Sequence, residues 1–146
     1  MYYLIIQAIE KANDNLRNVI AQQTDAYKAL NVYISQQYDY YITVNRLFLS
    51  YLRLALEGTL KAEWIDVTNT LRERRQEYVA GIISRGQAES IFIEADSMQL
   101  ARALRNVIRG FTMEQLESQR KEPRHTNDIE LIKAVIFAGI LRKNDS

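Results

Sequence analysis

Leu71–Leu116 reads LRERRQEYVAGIISRGQAESIFIEADSMQLARALRNVIRGFTMEQL. Two stretches of helical periodicity flank a short irregular centre, and that arrangement decides the fold. The spacing predicts a long helix ending near Ser84, a loop entered through Gly86, and a second long helix over Ser97–Ser118. Gly86 suits a left-handed C-terminal cap, because glycine enters that conformation without a Cβ penalty. Asp96 with Gln99 three residues on makes a capping-box-like start for the second helix. Ile91, Phe92 and Ile93 are good β formers. No second strand stands ready to pair with them, so Gln87–Ala95 is read as a loop whose Ile91 and Phe92 plug the core.

The same reading extends to both ends. Leu4, Ala8, Ile9, Ala12, Leu16, Val19 and Ile20 recur at helical spacing and predict a first amphipathic helix. Thr24 can cap a second, with Asp25 favourable in its first turn and a stripe of Tyr27, Leu30, Ile34, Tyr38 and Tyr41. A break near Ile42–Thr43 follows from the crowding of aromatic and β-branched residues over Tyr40–Val44. A third helix then carries Val44, Leu47, Phe48, Tyr51, Leu52 and Ala55; Gly58 stops it and Thr59 starts the next. The fourth runs over Leu60–Ser84, the fifth over Ser97–Ser118, and a sixth over Asn127–Arg142 with Glu130 in a second capping box. The expectation is an all-α, antiparallel bundle of about six helices.

Composition agrees with this. A chain of 146 residues makes about one domain, and five Gly with one Pro favour long uninterrupted helices over a turn-rich β fold. The absence of Cys removes disulfides, thiolate metal sites and cysteine nucleophiles together. Nineteen basic against 18 acidic residues leave a net charge of +1, which offers no electrostatic footprint for nucleic acid. The richest apolar run, Leu47–Leu56, is interrupted by Arg53 and is far shorter than the ~20 residues of a spanning helix. MYYLIIQAIEKANDN has neither a basic leader nor a small-residue cleavage site, so the N-terminus is read as a mature helix of a cytoplasmic protein without membrane contact.

The sixth helix bears on assembly. In IELIKAVIFAGIL, Ile129–Leu141, apolar residues occupy nearly every side, and the fifth helix also has them on more than one side. Such helices must be covered all round, which calls for a partner chain as well as the domain's own core. The alternative is a central helix buried wholly within one chain. Gly110 and Gly139 would allow close approach of another helix.

The pattern hydrophobic-x-R-G-x-A-E-x-x-F at Ile83–Phe92, followed by Asp96 and by ARALRNVIRGF at Ala101–Phe111, resembles the C-terminal half of the TetR-type transcriptional regulators. Ser90 stands where many relatives have a Gly. The resemblance covers essentially the whole chain and implies a single ligand-binding and dimerisation domain over residues 1–146, with no DNA-binding domain ahead of Met1. It further implies a homodimer whose four-helix interface uses the fifth and sixth helices, with Ala101, Leu104, Ile108, Ile132, Val135, Ile136 and Gly139 as the interface residues.

Chemistry is sparse. His125 stands alone beside Pro123 and Arg124 and cannot by itself build a zinc site, and no phosphate-binding, dinucleotide or nucleophile-elbow motif occurs. No metal, cofactor or catalytic residue is implied, so an enzyme is not expected. Arg72, Arg74 and Arg75 lie among Glu73 and Glu77 as an ordinary solvated face. Arg75 is the exception, set between Leu71 and Tyr78 in the apolar stripe, where a guanidinium could clamp a carboxylate or phosphate.

Tyrosines concentrate in the second and third helices. Tyr38, Phe48, Tyr51, Trp64 and Tyr78, anchored by Arg75, are the expected lining of a mostly apolar cavity for a small apolar or amphipathic effector. The alternative is that these rings pack the core and reach water with their hydroxyls. Two functions stay open: the sensing and dimerising half of a TetR-like regulator, without direct nucleic-acid binding by this chain, or a free-standing helical-bundle interaction or small-molecule carrier protein.

Overall fold

A computed structural model describes residues 2–58, 62–117 and 125–143. Five helices follow one another: α1 (Tyr2–Gln22), α2 (Ala26–Leu56), α3 (Ala62–Ala88), α4 (Ser97–Glu117) and α5 (His125–Ile140). Among the described residues the architecture is all-α, with five helices where the sequence predicts six. The difference lies at Ile42–Thr43, where α2 continues without a break. Each β-branched or aromatic residue there costs only a few tenths of a kcal/mol, and no Gly or Pro removes a hydrogen bond. Gly58, at φ +70°, ends the helix region as expected. Thr59 lies outside the described residues.

α2 is the axis of the bundle and packs against each of the other four helices. Ala26, Ala29, Leu30, Tyr33, Ile34, Gln37 and Tyr38 are all buried, a three–four repeat that winds one wide stripe along it. Its cap sits one residue later than the sequence suggests: the Lys28 N–H donates to Asp25 Oδ1 at 2.7 Å, so Asp25 takes the capping place expected of Thr24. Asp96 caps α4 as expected, accepting from the Gln99 N–H at 2.9 Å. α5 begins at His125, two residues before the start expected at Asn127.

The R-G-x-A-E segment is a structural joint. Arg85 donates to the Thr24 carbonyl, which ties the α1–α2 turn to the end of α3, and it pairs with Glu89 at 3.1 Å. The Gln87 amide donates to the carbonyls of Ile93 and Ala95, holding the returning loop. Gly86 is no left-handed cap; α3 continues to Ala88 and Ser90 carries the positive φ, at 62°. Gly86 is small for another reason. A Cβ there would stand 2.1 Å from Cδ2 of Phe92, whose ring is fully buried and seals the core. The loop also finds a partner the sequence does not reveal. Ile93 N–H donates to Ile140 O and Arg142 N–H to Ile91 O, both at 2.8 Å, forming an isolated antiparallel bridge between Phe92 and Leu141. The end of α5 supplies the missing strand edge.

Helices α4 and α5 divide their apolar residues between two faces. Ala101, Leu104 and Ile108 of α4, and Ile132, Ile136, Phe137 and Ile140 of α5, join the chain's own core. The opposite side of α5 shows Leu131 and Val135, 47% and 55% exposed, together with exposed Ala134, Ala138 and Gly139. Tyr38 locks the two helices to α2 from inside. Its hydroxyl lies 2.9 Å from Asp128 Oδ2 and 2.8 Å from Gln115 Oε1. One phenolic proton cannot serve both acceptors, so the carboxylate takes it and the Gln115 amide is better turned with its nitrogen toward the phenol.

Candidate functional site

Helical spacing brings a polar set together at one end of the core. Tyr33, Gln37, Tyr40 and Tyr41 recur at four, three and one residues along α2, so they share a face. Arg72, Arg75 and Gln76 do the same on α3, and Arg105 and Arg109 sit one turn apart on α4. With Ile9 of α1 closing the floor, these side chains enclose a cavity of about 70 Å³. Its wall sets the rings of Tyr33, Tyr40 and Tyr41 beside the four arginines.

Arg75 is the hub. It is 8% exposed, and its Nε donates to Gln37 Oε1 at 2.5 Å while one Nη1 N–H reaches Asn13 Oδ1 at 3.3 Å. Asn13 in turn donates to the Leu71 carbonyl at 3.0 Å, so one buried network spans α1, α2 and α3. The guanidinium lies over the Tyr40 ring, 5.2 Å from its centroid. Burial pushes the Arg75 pKa down, against the pull of the neighbouring phenols of Tyr33, Tyr40 and Tyr41. A guanidinium still keeps its charge at neutral pH. Burial likewise pushes the Tyr40 phenol up to about 12, and that of Tyr33 higher, with Arg75 opposing both. The phenols are therefore neutral hydrogen-bond donors across the physiological range.

No carboxylate lines this cavity, and among the described residues none forms an ion pair with Arg75, Arg105 or Arg109. Nε of Arg105 is enclosed and meets no protein acceptor among the described residues. A buried donor without an acceptor costs about 1–3 kcal/mol, and more when charged. Arg75, Arg105 and Arg109 thus hold positive charge in a partly dehydrated space with no ion-pair partner among the described residues.

Of the residues singled out from the sequence, Arg75 lies in this wall. Tyr38 does not; it is fully buried at the α4–α5 end, and its hydrogen bond to Asp128 adds to burial in raising its phenolic pKa. Tyr78 lies on another side of α3, with Arg17, Glu77 and Arg85, along a groove of about 250 Å³ bordered by exposed residues. That groove is larger but open, and it lacks the buried polar network. The side chains of Phe48, Tyr51 and Trp64 lie outside the described part of the structure. Among the expected interface residues, Val135 and Gly139 face outward; Ala101, Leu104, Ile108, Ile132 and Ile136 are 0–6% exposed within the chain itself.

Arg105 and Arg109 escaped the sequence reading, although a signal was present. In ARALRNVIRGF, Arg105 and Arg109 directly follow Leu104 and Ile108 of the buried stripe and lie half-buried at its edge, whereas Arg102, placed likewise after Ala101, is exposed. Gln37 was harder to find. A glutamine in a helix gives no sign of burial until its partner on another helix is known.

No protein-family model matches the sequence, and no curated protein matches it significantly. Solved structures do. The TetR family regulator PfmR from Thermus thermophilus superposes with a TM-score of 0.78 at 20% identity, over 97% of this chain and 75% of that one. The MbdR regulator from Azoarcus sp. CIB gives 0.76 at 17% identity, over 94% of this chain and 75% of the other. The chain has the fold of TetR-type regulators. A third structure with this fold, a candidate transcriptional regulator from Saccharomonospora viridis in complex with choline, gives 0.75 at 17% identity over 97% and 73% of the two chains. Identities this low speak to the TetR-type fold alone. Among the described residues, no helix is long and apolar enough to cross a membrane.

Proposed function

We propose that this chain is the effector-binding and dimerisation domain of a TetR-like transcriptional regulator, acting through conformational coupling and not through catalysis. The observation that carries the reading is the division of α4. One flank of the helix presents Arg105 and Arg109 to a partly open cavity, and the same helix packs on α5, whose outer side is apolar and uncovered. A small molecule entering the cavity would bear on α3 and α4 together. Any displacement would then pass to the α4–α5 layer, where a second copy is proposed to dock.

In this reading the two-fold interface uses the outward side of α5, from Leu131 through Val135 to Ala138 and Gly139, with Ala103 and Gly110 on the outward side of α4. Small residues let the helices of two copies approach closely, while Leu131 and Val135 supply the apolar area left exposed in one chain. Inducer control requires a ligand that favours one arrangement of these helices over the other, since equal affinity for both shifts nothing.

Val135→Glu tests the assembly. It places a charge on the exposed strip without touching the core, so the variant should keep its helical circular dichroism and sediment as a monomer. Wild-type protein should sediment as a dimer at tens of micromolar. A wild-type monomer at that concentration would remove the dimerisation half of the proposal.

A further inference from the structure

We propose that the cavity between α2, α3 and α4 is an anion site whose ligand is a compact molecule bearing two acid groups, a short dicarboxylate or a phosphorylated acid. The arginine pair of α3 and that of α4 would grip it from two sides. The inference rests on the reading of this cavity as the effector site and names the chemistry of the effector.

Charge carries the argument first. Arg72, Arg75, Arg105 and Arg109 contribute four guanidinium groups to one small cavity, and no lining residue is a carboxylate. An ordinary solvated face would show acids interleaved with them, as Glu73 and Glu77 are on the exposed side of the same helix. Donor geometry points the same way. Arg75 spends Nε on Gln37 and one Nη1 N–H on Asn13, and its Nη2 has no described acceptor. The enclosed Nε of Arg105 has none either. Planar forks with donors left over match carboxylate and phosphoryl oxygens, which accept two N–H bonds at once. The Tyr33 and Tyr40 hydroxyls can add neutral donors to the same guest.

Cations are disfavoured by the same geometry. A quaternary ammonium would meet the arginines of the lining at close range, and Arg75 already lies over the Tyr40 ring at 5.2 Å. Size sets the upper bound. At about 10–15 Å³ for each enclosed water, the 70 Å³ cavity holds roughly five to seven heavy atoms. That suits phosphate and malonate, leaves succinate one atom over the upper end, and excludes a polymer backbone.

The test is thermal melting and calorimetry of the whole chain at constant ionic strength, with malonate, succinate, inorganic phosphate, uncharged malonamide and choline as probes. The anions should raise Tm by about 5–10 °C at a hundredfold excess over Kd, and malonamide and choline should not. Arg105→Gln or Arg109→Gln should weaken anion binding at least tenfold, while the exposed Arg74→Gln should bind as wild type. A stronger response to the dicarboxylates than to phosphate assigns the acid groups to carbon, and the reverse order assigns a phosphoryl group. An anion effect that persists in both α4 variants would overturn the site, because it would come from the general surface. If choline or malonamide acts instead, and Arg105→Gln abolishes the effect, the effector cavity stands and its anionic character falls. If no probe acts up to about 50 mM, both fall.

Discussion

Replacing Gly86 by Ala sets two well-defined effects against each other. Gly86 is inside α3 with ordinary helical φ, so propensity alone would reward the change by about 1 kcal/mol. The added methyl, however, would lie 2.1, 2.4 and 2.8 Å from Cδ2, Cε2 and Cγ of Phe92, where ordinary contact begins at 3.4 Å. The ring cannot yield easily. It is 0% exposed, and its backbone is pinned on both sides by the 2.8 Å bonds Ile93 N–H to Ile140 O and Arg142 N–H to Ile91 O. Forcing the ring aside costs about 3–5 kcal/mol if its packing is lost, as in a Phe-to-Ala truncation, and about 1–3 kcal/mol if the surroundings deform instead. After the propensity gain, the expected net loss is about 2 kcal/mol, or a fall in Tm of about 4–8 °C. Urea unfolding followed by circular dichroism measures it. In a double-mutant cycle with Phe92→Leu, the two changes should couple by at least about 1 kcal/mol, because the smaller side chain frees the space the methyl needs. A neutral or stabilised Gly86→Ala protein, with additive behaviour in the cycle, would refute the close approach of ring and helix.

Ser90 holds a left-handed φ of 62° that costs a non-glycine residue about 1–2 kcal/mol, so Ser90→Gly should stabilise by about 0.5–1 kcal/mol after the extra chain entropy of glycine. Ser90→Val should destabilise by more than 1 kcal/mol, and urea midpoints would separate the two. Alkaline stability provides another check. Tyr40, pushed up to about 12 by burial against the opposing pull of Arg75, binds its proton more tightly folded than unfolded. Its contribution is complete below the unfolded value near 10 and is lost as pH rises toward 12, at about 1.4 kcal/mol per pH unit. Tyr40→Phe should flatten that decline between pH 10 and 11.5 in urea midpoints; an unchanged slope would place Tyr40 in contact with water.

Much of the architecture could be read without coordinates, because it depends on local chemistry. Asp96 accepts from the Gln99 N–H, as a carboxylate three residues ahead of a free donor should, and Phe92 fills the core where an aromatic in a short loop must go. Other local signals are outweighed by packing. The β-branched crowding at Ile42–Thr43 suggested a break, yet its penalty is small beside the packing of α2 on four neighbours. Gly86 looked like a cap because sequence shows a glycine without showing what lies above it. Arg75 was legible as a cation inside an apolar stripe, while its partners Gln37 and Asn13 were not, being 38 and 62 residues away.

Residue order alone shows that the chain is helical, that α4 starts behind the Asp96 cap, and that α5 carries apolar residues on opposite sides. These properties follow from periodicity, capping and composition, which act over a few residues. Only the tertiary structure decided which side of α4 and α5 is consumed by the core, leaving Leu131 and Val135 outside, because a helix wheel does not say where its neighbour stands. Only packing, likewise, gathered Arg72 and Arg75 from α3 with Arg105 and Arg109 from α4 around one cavity. Charge along a chain is local, but the field inside a site is a sum over elements that meet after folding.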